Sequence, residues 1–134
     1  MHQVAVLALH EFVPYDLGIA CEVFGRVSLP SGAQAYDVRV CGQSRTVRSR
    51  AFDVCVPHGL DALARADTIV VPGIETTTIP VPSPVLTALR DAWDRGARLS
   101  VDCGASYRMN CDWPPSRLSG ATASRAARVA TACP

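Results

Sequence analysis

The chain has 134 residues, about half of them apolar and a fifth charged, which suits one packed domain and excludes a disordered or membrane-embedded polymer. Thirteen basic residues, all of them Arg, against twelve acidic ones leave a net charge of +1, so this segment has no electrostatic footprint for DNA or RNA. No apolar run reaches the length of a membrane span, and Met1-His2-Gln3-Val4 carries neither a basic leader region nor a cleavage site, so the expected location is the cytoplasm.

Gln3 to Leu9 is a nearly continuous apolar run, the pattern of a parallel strand covered on both faces. His10 to Tyr15 reads as a loop, with Pro14 biasing it away from helix. A helical pattern begins at Asp16, a candidate N-cap, and places Leu17, Ala20, Cys21, Phe24 and Val27 on one face until Leu29-Pro30-Ser31-Gly32 ends it. Tyr36 to Cys41 alternates as a second strand. Thr46–Ser49 and Phe52–Val56 suggest a small antiparallel excursion, and Leu60 to Ala64 a short helix near His58.

Thr68-Ile69-Val70-Val71 is a strongly β-prone central strand that stops at Pro72-Gly73. After a Pro- and Thr-rich loop, Val85, Leu86, Leu89 and Trp93 mark the apolar face of another helix, with Gly96 placed as its C-terminal stop. Ala97 to Val101 is then a strand that breaks into Asp102-Cys103-Gly104-Ala105-Ser106. Such a break reads as a sharp strand-to-helix turn. A thiol there projects beyond the carboxyl end of the sheet, where the amides of the next helix favour thiolate and can bind an oxyanion. Cys103 is therefore the candidate nucleophile, against the alternative of a buried structural thiol.

Past Cys103 the pattern deteriorates. Trp113-Pro114-Pro115 cannot lie inside a helix, Ala121 to Ala132 reads as a weakly amphipathic helix, and no closing strand is expected. Residues 1–103 form the recognisable domain and 104–134 a divergent tail. Strands alternating with helices predict an α/β architecture: a flavodoxin-like, mostly parallel sheet with helices on both faces, incomplete at its C-terminus. In such sheets ligands bind beyond the carboxyl ends of the strands. That rule gathers three loops: residues 10–16, Pro72-Gly73-Ile74-Glu75, and the turn at Cys103. The six cysteines are too dispersed for a disulfide scaffold, and without a CxxC pair or clustered His no metal is expected; reduced, mostly buried thiols are.

Several short motifs stand in a fixed order: Pro14-Tyr15-Asp16-Leu17, Cys21-Glu22-Val23-Phe24-Gly25, His58-Gly59-Leu60, Ala66 to Gly73, and Arg95-Gly96-Ala97-Arg98 before Cys103. Together they resemble the ThiJ/PfpI branch of the class I glutamine-amidotransferase-like superfamily. Within it they look most like the N-terminal sensory domain of GlxA-type AraC-family transcriptional regulators. The resemblance implies a flavodoxin-like fold, commonly dimeric, with Cys103 on a nucleophile elbow. It also implies that Gly73 and the residues after Cys103, beginning with Gly104, border an oxyanion-type pocket.

In related isonitrile hydratases a carboxylate at the place of Asp16 helps activate water or position substrate beside the thiol. Regulators of this type carry a helix-turn-helix domain downstream and sense a small metabolite. This chain has Cys103-Gly104-Ala105 where the family has Cys-Thr-Gly or Cys-Ser-Gly, and Gly104 where PfpI-type peptidases place His. The elbow thus lacks both a neighbouring hydroxyl and a local base. The tail does not reproduce the family's closing segments, which points to a truncated or frameshifted product, or to a fragment.

The leading expectation is a ligand-sensing domain without its DNA-binding part, acting on a small-molecule effector as a homodimer, with no cofactor. The alternative is a cysteine-dependent hydratase or hydrolase of a small electrophile using Cys103 and Asp16. Gly73, Ile74, Glu75 and Gly104 are the candidate ligand-binding residues. His10 is a lesser candidate, and Glu22 reads as a solvated or dimer-facing charge.

Overall fold

The computed structural model describes residues 1–76, 78–102 and 129–132. In chain order its elements are β1 (His2–Ala8), α1 (Pro14–Gly25), β2 (Tyr36–Gly42), β3 (Thr46–Arg48), β4 (Asp53–Cys55), a 3₁₀ helix (Leu60–Arg65), β5 (Thr68–Val71), α2 (Ser83–Asp94), β6 (Arg98–Asp102) and β7 (Val129–Ala132). The described strands form one parallel sheet in the order β2-β1-β5-β6-β7, plus the separate antiparallel ribbon β3-β4.

The apolar run of β1 is explained by its place between two helical layers. Ala5 and Leu7 join Leu63, Ile69, Val85 and Leu89 in the core under α2 and the 3₁₀ helix. Val4 and Val6 pack on the other face against Ala20, Leu17 and Phe24 of α1. Both faces of the strand are therefore withdrawn from water. Each fully buried aliphatic side chain of this kind contributes about 1.5–3 kcal/mol. The α/β prediction, with helices on both faces of a mostly parallel sheet, holds.

Helix α2 buries Val85, Leu86, Leu89 and Ala92, as their spacing requires. It ends where Gly96 takes φ of 100° and donates its N–H to the Trp93 carbonyl at 2.9 Å. No described helix is long and apolar enough to cross a membrane.

Three local expectations are corrected. Helix α1 begins at Pro14, not Asp16: Val13 is the extended N-cap residue, with no side-chain cap, and Pro14 occupies the first turn, where its fixed φ and missing N–H cost nothing. Asp16 is thus a first-turn acid rather than a cap. Residues 129–132 of the segment read as helix form β7, parallel to β6 with Leu99 opposite Val129, so a strand stands where none was expected. Cys55 is exposed on the outer ribbon, although Cys41 is buried as anticipated and Cys21 half-buried.

Candidate functional site

The sheet order places the topological switch between β1 and β5, since the chain leaves β1 towards β2 and later returns on β1's other side. The loops that follow these two strands pair directly. Val13 donates its N–H to the Gly73 carbonyl at 2.8 Å, Glu75 donates to the Glu11 carbonyl at 2.9 Å, and Phe12 and Ile74 form an isolated antiparallel bridge between them. Both bridging side chains are buried, Phe12 completely, which anchors this short ribbon over the carboxyl edge of the sheet.

Glu11 is the hinge of the arrangement. Its φ is 68°, a left-handed conformation that a non-glycine residue adopts only at a cost. Three contacts hold it there. Its N–H donates to the Arg48 carbonyl at 2.7 Å, its carbonyl accepts from Glu75, and its carboxylate accepts from the Thr76 hydroxyl at 3.1 Å. The first loop is thereby tied to both the β3–β4 ribbon and the loop after β5.

Of the residues singled out from sequence, Gly73, Ile74 and Glu75 lie in the paired loops, and Asp16 in the helical turn that follows Val13. Asp16 is half-buried in the first turn of α1, three residues beyond Val13. An acid there is favoured by the helix dipole. Gly73 is buried and gives its carbonyl to Val13. Ile74 turns inward and belongs to the main core, so it supports the loop from beneath. The exposed Glu75 faces Arg50 across 3.8 Å, a solvent-screened pair of small energetic weight.

Strand β6 lies between β5 and β7, with Val71 opposite Val101, and ends at Asp102, the residue before Cys103. Cys103 and Gly104 lie outside the described residues. Glu22 is exposed and paired with Arg26 one helical turn on, as a solvated charge would be. His10 is exposed, and its Nδ1 accepts the Arg48 N–H at 3.1 Å.

Two of the described thiols, Cys41 and Cys21, are poor nucleophiles. Burial, reinforced by the carboxylate of Asp61, pushes Cys41 up to about 12. Burial and then Glu22 raise Cys21 above the ordinary thiol value. Among the described residues no group of three His, Cys, Asp or Glu side chains could hold a metal ion.

Sequence reasoning passed over Glu11, Thr76 and Arg48. A left-handed position is usually betrayed by Gly or Asn, and Glu11 carries no such signal.

No family model matches the chain, and no curated protein does. Solved structures do. An AraC family transcriptional regulator from Pseudomonas putida superposes with a TM-score of 0.66 at 19% identity, over 81% of this chain and 60% of that one. DJ-1beta of Drosophila melanogaster gives 0.66 at 21% identity, over 81% and 59%. A ThiJ/PfpI family protein from Pseudomonas syringae gives 0.66 at 18% identity, over 81% and 44%. The chain thus spans about 60% or less of each of these three structures. The described sheet and its helices have the flavodoxin-like α/β fold shared by DJ-1 and ThiJ/PfpI proteins, the domain type that the sequence motifs resemble.

Proposed function

We propose that the chain is the N-terminal ligand-sensing domain of an AraC-family regulator of the GlxA type, acting in the cytoplasm. In this reading residues 1–103 carry the sensing unit and 104–134 its divergent tail. Cys103 stands at the floor of a small-molecule pocket, Asp16 and Glu75 lie at its rim, and Gly73 and Gly104 supply close backbone approach. The observation that carries the reading is the pairing of the first loop with the loop after β5 at the switch point. It brings Asp16 and Gly73 to the carboxyl edge of the sheet, next to the strand that leads into Cys103. The likeness to the Pseudomonas putida regulator supports it at the level of fold.

A homodimer belongs to the same proposal. Tyr15, Ile19 and Val23 follow one another at four-residue intervals along α1 and are 75%, 42% and 56% exposed, while Leu17, Ala20 and Phe24 already serve the core. A helix apolar on both sides is suited to burial on both sides, and a second copy of the same stripe would cover it.

The enzyme alternative rests on the half-buried carboxylate of Asp16 in the first turn of α1. Incubation of the chain with an alkyl isonitrile, an amide and a glyoxal separates the two. The sensing reading expects no turnover that Cys103→Ala abolishes, and it expects a helix-turn-helix reading frame in the DNA just downstream. Cys103-dependent turnover, or the lack of such a frame, counts for the alternative.

A further inference from the structure

A recess opens beside the first of the paired loops, with His10 of that loop in its wall. It lies at the carboxyl ends of β1 and β2, between Val47 of β3 and the segment leading into α2, and encloses about 490 Å³ including its open mouth. The part of it comparable with known ligand cavities is about 80 Å³, so it suits a molecule of a few heavy atoms rather than a drug-sized one. Its walls are mainly apolar: Leu9, Val47 and Val81 form the buried lining, and Ile79 stands at the rim, 52% exposed. No charged side chain is among the described residues that line it.

One wall carries a defined polar group. His10 lines the cleft, and the backbone N–H of Arg48 donates to its Nδ1 at 3.1 Å. A nitrogen that accepts a hydrogen bond bears no proton, so the neutral ring carries its hydrogen on Nε2. The Nε2–H is thus the donor left on the His10 ring, and the amide of Gln43 lines the cleft beside it. Ser44 has already given its hydroxyl hydrogen to the Thr46 carbonyl, at 2.8 Å.

We propose that this cleft binds a small uncharged molecule with an apolar body and one carbonyl-type acceptor, which the Nε2–H of His10 receives. The absence of a lining charge disfavours ions, since a desolvated charge without a partner is expensive. The Nε2–H of His10 favours an acceptor at its side of the cleft. The inference does not depend on the sensing reading: the cleft uses neither Cys103 nor Asp16, and an enzyme of this fold would possess it equally.

The test is a titration of the full 134-residue chain with cyclohexanone, followed by amide and imidazole NMR. Cyclohexanecarboxylate and cyclohexylammonium serve as charged counterparts of the same shape. Saturable shifts at Leu9, Val47, Val81 and the His10 ring are expected, with both charged probes weaker by about tenfold or more. Removing the donor in His10→Phe should weaken cyclohexanone about tenfold, the worth of one hydrogen bond. Ile79→Arg, a change at an exposed rim position, should abolish the shifts while the rest of the spectrum stays that of the parent. Ile79→Arg carries the test by itself if His10→Phe loses the native spectrum. Shifts that never saturate, that centre elsewhere, that are matched by either charged probe, or that survive Ile79→Arg overturn the proposal.

Discussion

The Val13 N–H donates to the carbonyl of Gly73 across 2.8 Å, joining the entrance of α1 to the loop that ends β5. The same Val13 gives its carbonyl to Leu17 N–H at 3.2 Å, opening the helix. One peptide group on each side of this residue thus fixes both the helix and the loop. Backbone hydrogen bonds thus hold the helical turn that carries Asp16 in register with Gly73.

That arrangement is testable with a single substitution. Val13 has φ of −80° and ψ of 114°, angles that proline also adopts, so Val13→Pro removes the donor without forcing the chain elsewhere. The expected result is a loss of about 1 kcal/mol beyond that of Val13→Ala, which keeps the N–H. Urea unfolding midpoints of the two variants check it. Equal midpoints would show that the bond contributes nothing.

Glu11 supplies a second test through its φ of 68°. A β-branched residue tolerates that region poorly, whereas Asn visits it readily. Glu11→Val should destabilise the fold by about 1–3 kcal/mol, combining backbone strain with the lost contact to Thr76. Glu11→Asn should cost about 1 kcal/mol or less, since only the side-chain bond is at stake. Thermal melts of the pair, compared at one pH, measure the difference.

The described cysteines should separate cleanly in a labelling experiment. At pH 8, iodoacetamide is expected to modify exposed Cys55 in the native chain and to leave Cys41 untouched until the chain unfolds, because Cys41 is buried and its thiol is pushed up to about 12. The same shift has a thermodynamic consequence. Above pH 9 the unfolded thiol ionises while the folded one keeps its proton, so the unfolded state binds fewer protons and stability falls as pH rises towards 12. The loss approaches about 1.4 kcal/mol per pH unit within that window, and Cys41→Ala should flatten this part of the profile.

For the dimer, Val23→Arg places a charge in the middle of the exposed α1 stripe without touching the buried face. Sedimentation equilibrium should show a dimer for the parent chain and a monomer, or at least about a hundredfold weaker association, for the variant. A monomeric parent chain, or a dimer indifferent to the substitution, would remove α1 from the interface.

How much of this was legible beforehand follows from where local pattern and tertiary context agree. The run from Val4 to Leu9 announced a doubly covered strand because nothing but apolar side chains can sit between two helical layers. The stripe of Val85, Leu86 and Leu89 announced the buried face of α2 for the same reason. Gly96 was readable as a helix stop because a left-handed residue favours glycine.

The failures lie where the deciding partner is remote in sequence. Ala and Arg around Val129 favour a helix locally, but pairing along β6 makes residues 129–132 a strand, and such pairing overrides propensity. Asp16 looked like a cap because its side chain suits that role, whereas the true boundary is set by Pro14 and by the Gly73 carbonyl, sixty positions away. At the candidate site, the convergence of the 10–16 loop with Gly73 and Glu75 was legible from topology alone. The stitching through Glu11 was not, since no residue type advertises it.

In the proposed sensing site the Cys103 thiol shares a pocket with Asp16 at the carboxyl edge of the sheet. The rate of alkylation of Cys103 in the native chain, followed by peptide mass from pH 5 to 10, tests it most directly. Native-state alkylation is expected, with its pH midpoint moved downward in Asp16→Asn, where a neighbouring negative charge no longer opposes the thiolate. A thiol that reacts only after unfolding, or a pH profile that Asp16→Asn leaves unmoved, would contradict it.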